Sequence, residues 1–176
     1  MTARSALDPG ELDILEPDEF ATALAPLFEG APRFLARLAG ARPFGSIDAL
    51  FERARSIAHG MPEADQLELI DAHPRLGAEP GTVSDLSYAE QGYDREPSPE
   101  ETVDVAAELE RLNDAYEERF GFRYCVFVAG RPRAELLPGM AAALDEDRET
   151  ELHRALDAVV DIAMDRHAKL AAEDRA

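Results

Sequence analysis

The chain has 176 residues, of which 45% are apolar, so it can bury a substantial core and is not disordered throughout. Its formal net charge of -19 repels phosphate backbones and anionic lipid, so we expect no binding to nucleic acid or membranes. The single cysteine, Cys125, excludes an internal disulfide. Because neither a signal peptide nor a membrane span is recognisable, we expect a cytoplasmic protein.

The first third of the chain predicts short helices behind an irregular start. Residues 1–15 are predicted to form a loose N-terminal arm, and residues 16–172 one helical domain. Apolar residues recur at helical spacing over residues 20–28, which indicates a first helix. Pro32 opens a second helix, because proline is tolerated in a first turn, and Gly40 ends it.

Two further helices lead to a histidine. Ser46 is the predicted N-cap of the first, since its hydroxyl can accept a hydrogen bond from the first turn, and Gly60 ends that helix. Pro62 begins the second. That helix ends at His73, because the residue before Pro74 is driven out of the helical conformation.

A loop over residues 75–86 separates these helices from a short one. We predict that this helix starts at Leu86 or Ser87 and ends at Gln91. Ser87 and Glu90 have the spacing of a capping box, so the simplest interpretation of the motif is a helix start.

The remaining patterns predict an all-α protein, a bundle of seven to nine helices with one buried extended segment. A long helix is predicted over residues 100–120. Residues 123–129 have the composition of a strand, but no partner strand is evident, so we predict a buried extended segment. Pro132 opens a further helix that Pro138 should kink or split.

The last helix, predicted over residues 147–171, carries a charge on its apolar side. At about 100° per residue, Arg166 falls roughly 40° from the centre of the apolar stripe. A guanidinium keeps its charge, so a buried one requires an anion. That anion is either a protein carboxylate in a structural salt bridge or the carboxylate of a substrate.

Polar residues elsewhere have functional and structural interpretations. His73 stands at a helix C-terminus, where the helix dipole favours a protonated ring, and could exchange protons near neutral pH. The alternative is a capping or surface histidine. Asn113, inside the long helix, is predicted to anchor a loop. We expect the other three histidines at the surface or on helix flanks: His59, His153 and His167.

Six short segments, taken in chain order, resemble one enzyme family. They are Arg42-Pro43-Phe44, Ala72-His73-Pro74-Arg75-Leu76-Gly77, Ser87-Tyr88-Ala89-Glu90-Gln91, Leu112-Asn113-Asp114-Ala115-Tyr116, Phe120-Gly121-Phe122 and Ile162-Ala163-Met164-Asp165-Arg166. Over about residues 17–170 their order and spacing are similar to those of the 2-oxo-4-hydroxy-4-carboxy-5-ureidoimidazoline (OHCU) decarboxylases of uric acid degradation. The resemblance implies an all-α, cofactor-free enzyme that converts OHCU, a small anionic ureidoimidazoline, to (S)-allantoin, and it suggests a homodimer.

The resemblance also implies which residues form the site. His73, Glu90 and Arg166 would be catalytic, and no metal would be bound. The predicted substrate-binding residues are Pro74, Ser87, Gln91, Gly121, Phe122, Tyr124 and Val126. Arg123 departs from the family, which commonly has proline there. Two alternatives remain open: a related helical protein that binds another ureide or purine without turnover, and an interaction protein with an incidental family pattern.

Overall fold

The computed structural model describes residues 7–95 and 103–174, and these contain nine α-helices, one 3-10 helix and no strand. The α-helices are α1 (Pro9–Ile14), α2 (Pro17–Leu24), α3 (Pro32–Gly40), α4 (Ile47–Gly60), α5 (Glu63–Asp71), α6 (Asp85–Glu90), α7 (Val103–Phe120), α8 (Arg133–Ala143) and α9 (Arg148–Glu173); the 3-10 helix is Pro80–Thr82. The predicted all-α fold is confirmed. Among the helices of the described residues, none is long and apolar enough to cross a membrane.

The chain divides into two compact units. The first comprises Met1–Ala72 and Leu156–Ala176, and the second comprises His73–Ala155. The first unit therefore contains α1 to α5 and most of α9, while the second contains α6 to α8 and the first two turns of α9. A single domain over residues 16–172 stays a prediction.

Local sequence signals account for the helix bounds in the first unit. Pro32 is the first residue of α3, and Gly60 is the last residue of α4. The Ser46 hydroxyl caps α4 by accepting a hydrogen bond from the N–H of Ala49 at 3.1 Å. The apolar stripes behind these caps form the core of the unit. Its largest buried members include Phe20, Leu24, Phe28, Phe34, Leu38 and Leu50.

The predicted loose N-terminal arm is wrong where the chain forms α1. The Asp8 carboxylate caps this helix, accepting an N–H of its first turn at 3.0 Å. Leu12 is buried, and its carbonyl accepts a hydrogen bond from Arg42 Nη1 at 3.1 Å. A helix of six residues is too short to show an apolar period, so contacts distant in sequence order it. Residues 1–6 lie outside the described residues.

The second unit differs from the prediction at α8. Pro138 lies inside α8, which continues through it as one helix rather than splitting. The long helix α7 is described from Val103, and the three predicted residues before it lie outside the described residues. The stretch after α7 is neither helix nor strand, and Tyr124 and Cys125 in it are buried, which confirms a buried segment within a helical protein.

Candidate active site

His73 is a buried side chain at the start of the second unit. It follows Ala72, the C-cap of α5, and is 3% exposed. The alternative of a surface histidine is therefore wrong. His73 and the residues up to 78 contain no regular secondary structure, and residues 73–78 are called the histidine loop below.

Side chains of α7 hold the histidine loop. Asn113 Nδ2 donates to the Leu76 carbonyl at 2.9 Å, which confirms the prediction that this asparagine anchors a loop. Arg75 donates to both carboxylate oxygens of Glu117, at 2.7 and 2.8 Å, and to Asp114 at 2.8 Å. The hydrogen bonds to Glu117 raise the pKa of the Arg75 guanidinium, against a smaller effect of burial. The loop therefore has charged and neutral anchors on one helix.

Gln91 clamps the same loop from the residue after α6. Its Nε2 donates to the Arg75 carbonyl at 3.0 Å, and its Oε1 accepts from the Gly77 N–H at 2.7 Å. Gly77 has φ +82°, and a Cβ there would lie 3.3 Å from Leu109 Cδ1, so glycine suits this turn. The structure thus assigns the Gln91 amide a role in shaping the loop, and its contact with substrate stays a prediction.

The Ser-x-x-Glu-Gln motif lies within α6 rather than in front of it. Ser84 is the N-cap, since its hydroxyl accepts from the N–H of Ser87 at 3.2 Å. The capping box predicted for Ser87 and Glu90 is therefore wrong: Ser87 occupies the third helical position and is buried, and Glu90 ends the helix half-buried. Ser84, three positions earlier, is an equally good N-cap, and α6 therefore begins at Asp85.

The segment after α7 carries the other predicted binding residues of this unit. Gly121 ends α7 with φ +81°, a conformation in which glycine is unstrained. Phe122 and Tyr124 are buried, and Val126 is half-buried. Residues 122–126, called the extended segment below, thus combine buried aromatic side chains with backbone that no helix or strand uses.

Sequence reasoning missed the ion pair between half-buried Arg154 and buried Glu151, which holds the extended segment. Glu151 is 2% exposed and accepts hydrogen bonds from Arg154 Nε and Nη2 at 2.8 to 3.0 Å. Arg154 Nη1 donates to the Cys125 carbonyl at 2.9 Å, and the guanidinium lies 4.7 Å from the centre of the Tyr124 ring. By helical geometry, Glu151 and Arg154 lie on the order of 100° or more from the apolar stripe of the last helix. The stripe therefore did not predict that the Glu151 carboxylate is buried.

Tyr116 completes this buried cluster. Its hydroxyl donates to Glu151 Oε2 at 2.6 Å. Burial, together with the hydrogen bond to that carboxylate, raises the pKa of the Tyr116 phenol. The phenol therefore remains a neutral donor across the physiological pH range. The Glu151 carboxylate accepts hydrogen bonds from both Tyr116 and Arg154.

Arg166 lies in the first unit. It is 1% exposed, as its place on the apolar side of the helix predicted. Its Nη2 donates to Glu29 Oε1 at 2.8 Å, and its Nη1 donates to the Pro26 carbonyl at 2.8 Å. Of the two anions considered from the sequence, the structure shows the protein carboxylate. A contact between Arg166 and substrate stays a prediction.

The first unit also contains an open pocket of about 570 Å³. It is lined by Asp48, Phe51, Glu52, Arg55, Ser56, His59 and Met164, none of which is a predicted site residue. Arg55 donates to Asp157 at 2.7 Å and to Asp161 at 2.6 Å, while His59 Nε2 lies 2.8 Å from Asp157. Within residues 7–95 and 103–174, no three His, Cys, Asp or Glu side chains could together hold a metal ion.

Comparison with known proteins identifies the family. A family model described as OHCU decarboxylase matches residues 13–168. The chain belongs to the OHCU decarboxylase family. The prediction made from the six sequence segments is thereby confirmed.

Individual family members show how far the similarity extends. The 2-oxo-4-hydroxy-4-carboxy-5-ureidoimidazoline decarboxylase of Haloferax volcanii is 31% identical over 153 residues, which cover 87% of this chain and 89% of that protein. The uric acid degradation bifunctional protein PucL of Bacillus subtilis is 31% identical over 93% of this chain, which spans about a third (32%) of that relative's length.

A solved structure shows the shared fold. The crystal structure of an OHCU decarboxylase in the presence of (S)-allantoin has a TM-score of 0.68 to this chain at 22% sequence identity. The match covers 90% of this chain and 99% of that one.

Proposed function

We propose that this protein decarboxylates OHCU to (S)-allantoin in uric acid degradation, without a cofactor. Membership of the OHCU decarboxylase family supports the reaction. The observation that carries the proposal is the buried imidazole of His73 at the head of a loop that Gln91 and α7 hold in one conformation.

The reaction places defined demands on the site. Loss of carbon dioxide leaves an electron pair on carbon, and the adjacent carbon–nitrogen double bond of OHCU can accept it. The protein must therefore orient the carboxylate, stabilise the developing charge and deliver a proton to one face. Delivery to one face gives the product its chirality.

The residues of the second unit suit these demands. His73 would exchange a proton with the C4 hydroxyl of the substrate or with the neighbouring carboxylate. Glu90 would accept hydrogen bonds from the ureido and ring N–H groups, with Ser87 as a further polar contact from the same helix. Because the histidine loop is held before substrate arrives, little ordering of that backbone remains for the binding step.

Arg166 would bind the substrate carboxylate, as the family resemblance implies. A planar guanidinium matches a carboxylate with two parallel hydrogen bonds, which a lysine cannot reproduce. A net charge of -19 repels an anionic substrate, so the reaction needs local cations. The variants Arg166→Met and Glu29→Gln separate substrate binding by Arg166 from its ion pair with Glu29.

We propose a small anionic ureide as ligand, a homodimer as assembly and the cytoplasm as location. The single cysteine, Cys125, is buried, and a chain without an internal disulfide suits a reducing compartment. Sedimentation analysis at micromolar concentration should give twice the monomer mass of 19.3 kDa, and a monomer would contradict the assembly.

The reaction is tested with freshly generated OHCU, because this substrate also decays spontaneously. The appearance of (S)-allantoin is followed by circular dichroism with and without the protein. We expect a large acceleration by the wild type and a loss of about 10² to 10⁴-fold in His73→Asn, the usual contribution of a positioned acid or base. His153→Asn, an exposed histidine of the same unit, is the matched control and should retain its activity.

Two outcomes would overturn the proposal. A wild-type rate equal to spontaneous decay would exclude the decarboxylase, and calorimetric titration with allantoin would then test a ureide-binding protein without turnover. Near-normal rates in His73→Asn would show that this histidine is not catalytic.

A further inference from the structure

Arg123 reaches from the extended segment to the backbone of the histidine. Its Nη1 donates to the His73 carbonyl at 3.0 Å, across 50 positions of sequence. The side chain is half-buried. We propose that Arg123 is a positioning residue, which holds His73 in the orientation that catalysis needs. The inference rests on the proposed function of His73.

The chemistry of this peptide explains why the contact matters. The carbonyl of His73 belongs to the peptide bond that precedes Pro74, and proline has no N–H. That carbonyl is therefore the one group of this peptide that can form a conventional hydrogen bond. The hydrogen bonds from Gln91 and Asn113 act further along the loop, at residues 75–77. Arg123 thus restrains the peptide bond that directly follows the Cα of His73.

A positioning side chain needs a rigid base, and the extended segment provides one. Two residues after Arg123, the Cys125 carbonyl accepts a hydrogen bond from Arg154 at 2.9 Å. Arg154 is in turn held by the buried carboxylate of Glu151. The contacts run without interruption from the buried ion pair through the extended segment to His73, all within the second unit.

The test compares three variants of the whole 176-residue chain. Arg123→Gln removes the charge and shortens the side chain, while Arg123→Lys keeps a charged donor. Arg119→Gln is the matched control, because Arg119 also donates to a backbone carbonyl in this unit, that of Glu146 at 3.1 Å. We expect Arg123→Gln to lower kcat about tenfold with KM within about twofold, since a small displacement of a reacting group reduces rate rather than affinity. Arg123→Lys should recover most of kcat, and Arg119→Gln should resemble the wild type.

Two kinetic results would overturn the inference. A raised KM with unchanged kcat in Arg123→Gln would mean that the guanidinium binds the substrate anion instead. An equal fall of kcat in Arg119→Gln would mean that any loss of positive charge has the same effect. If Arg123→Gln does not fold, Arg123→Met carries the test, because methionine keeps an apolar stem but has no donor for the His73 carbonyl. A kcat unchanged from wild type in Arg123→Met, together with an unchanged His73 resonance, would contradict the inference.

A second readout does not depend on turnover. The imidazole ¹H–¹³C resonance of His73, assigned with His73→Asn, should shift in Arg123→Gln and stay in place in Arg119→Gln. An unmoved resonance in Arg123→Gln would overturn the positioning role even if the protein is an active decarboxylase. If the resonance moves but the protein does not accelerate OHCU decay, the contact between Arg123 and His73 is supported and the proposed function is wrong.

Discussion

Arginines hold irregular backbone in both units, but Arg166 of the first unit is fully buried, whereas Arg123 and Arg154 of the second are half-buried. In the first unit, Arg166 joins α9 to the chain after α2, through a carboxylate and a backbone carbonyl. In the second unit, Arg123 and Arg154 donate to carbonyls of backbone that belongs to no helix. Helices satisfy their own backbone groups, so in both units the carbonyls that accept from these arginines lie between helices. Irregular backbone at a site needs partners from side chains, and the second unit supplies them.

Removing Arg154 should have the largest effect on stability. Arg154→Met leaves the carboxylate of Glu151 buried with Tyr116 as a remaining partner, and breaking such a buried pair costs about 3–5 kcal/mol. It also frees the Cys125 carbonyl, so kcat should fall. Urea unfolding and steady-state kinetics measure the two effects. The double change Glu151→Leu with Arg154→Met is the control, and it should recover much of the stability but not the rate.

Substitutions of Arg166 and Glu29 form a matched pair of variants for the first unit. Arg166→Met should destabilise the protein by about 3 kcal/mol, because it leaves Glu29 without this partner in a largely buried place. If Arg166 also binds the substrate, KM should rise at least tenfold in Arg166→Met and stay within about twofold in Glu29→Gln. Equal KM values in the two variants would show that the ion pair is the whole role of Arg166.

Asn113 tests the loop anchors without removing a charge. Asn113→Leu leaves the Leu76 carbonyl without its buried donor, and an unsatisfied buried group costs about 1–3 kcal/mol. We expect a lower urea midpoint and a reduced kcat, because the histidine loop loses an anchor. A variant with lower stability and an unchanged kcat would show that the remaining anchors suffice.

The smallest effect is expected at the partly exposed network of the first unit. Although burial opposes it, hydrogen bonds from His59 and Arg55 lower the pKa of Asp157 in the folded protein. A carboxyl group with a lowered folded pKa stabilises the protein above its unfolded pKa of about 3.9, and this contribution is lost as the pH falls through the folded value. The side chains of Arg55 and Asp157 are 36% and 47% exposed, so solvent screens their interaction. We therefore expect the Asp157 carboxylate to stabilise the fold by only about 0.5 kcal/mol.

Asp157→Asn measures that contribution. The wild type should be slightly more stable than the variant at pH 7, and the difference should begin to shrink below about pH 4 and be lost as the pH falls through the lowered pKa of the folded protein. Added salt should reduce the difference at pH 7. A difference that stayed constant from pH 7 down through the acid range would mean that the substitution acts through packing rather than charge.

Short-range signals were sufficient for most of the helices and for the family. The cap at Ser46, the helix start at Pro32 and the stop at Gly60 depend on residues a few positions away, so the amino-acid pattern contains them in full. The burial of Arg166 followed from helical period alone. The segment around His73 carried the family motif, but its neighbours in the chain did not distinguish a buried histidine from a surface one.

Contacts between distant residues determined the rest of the second unit. Gln91 shapes the histidine loop across 14 positions, and Arg123 reaches the His73 carbonyl across 50. Glu151 and Arg154 lie off the apolar stripe, and their burial depends on what packs against that side of the helix. Helix propensity and capping act within a turn or two, whereas partners for irregular backbone come from whichever side chains the fold brings close. The chain alone therefore predicts the candidate catalytic residues, and the folded protein shows how their backbone is held.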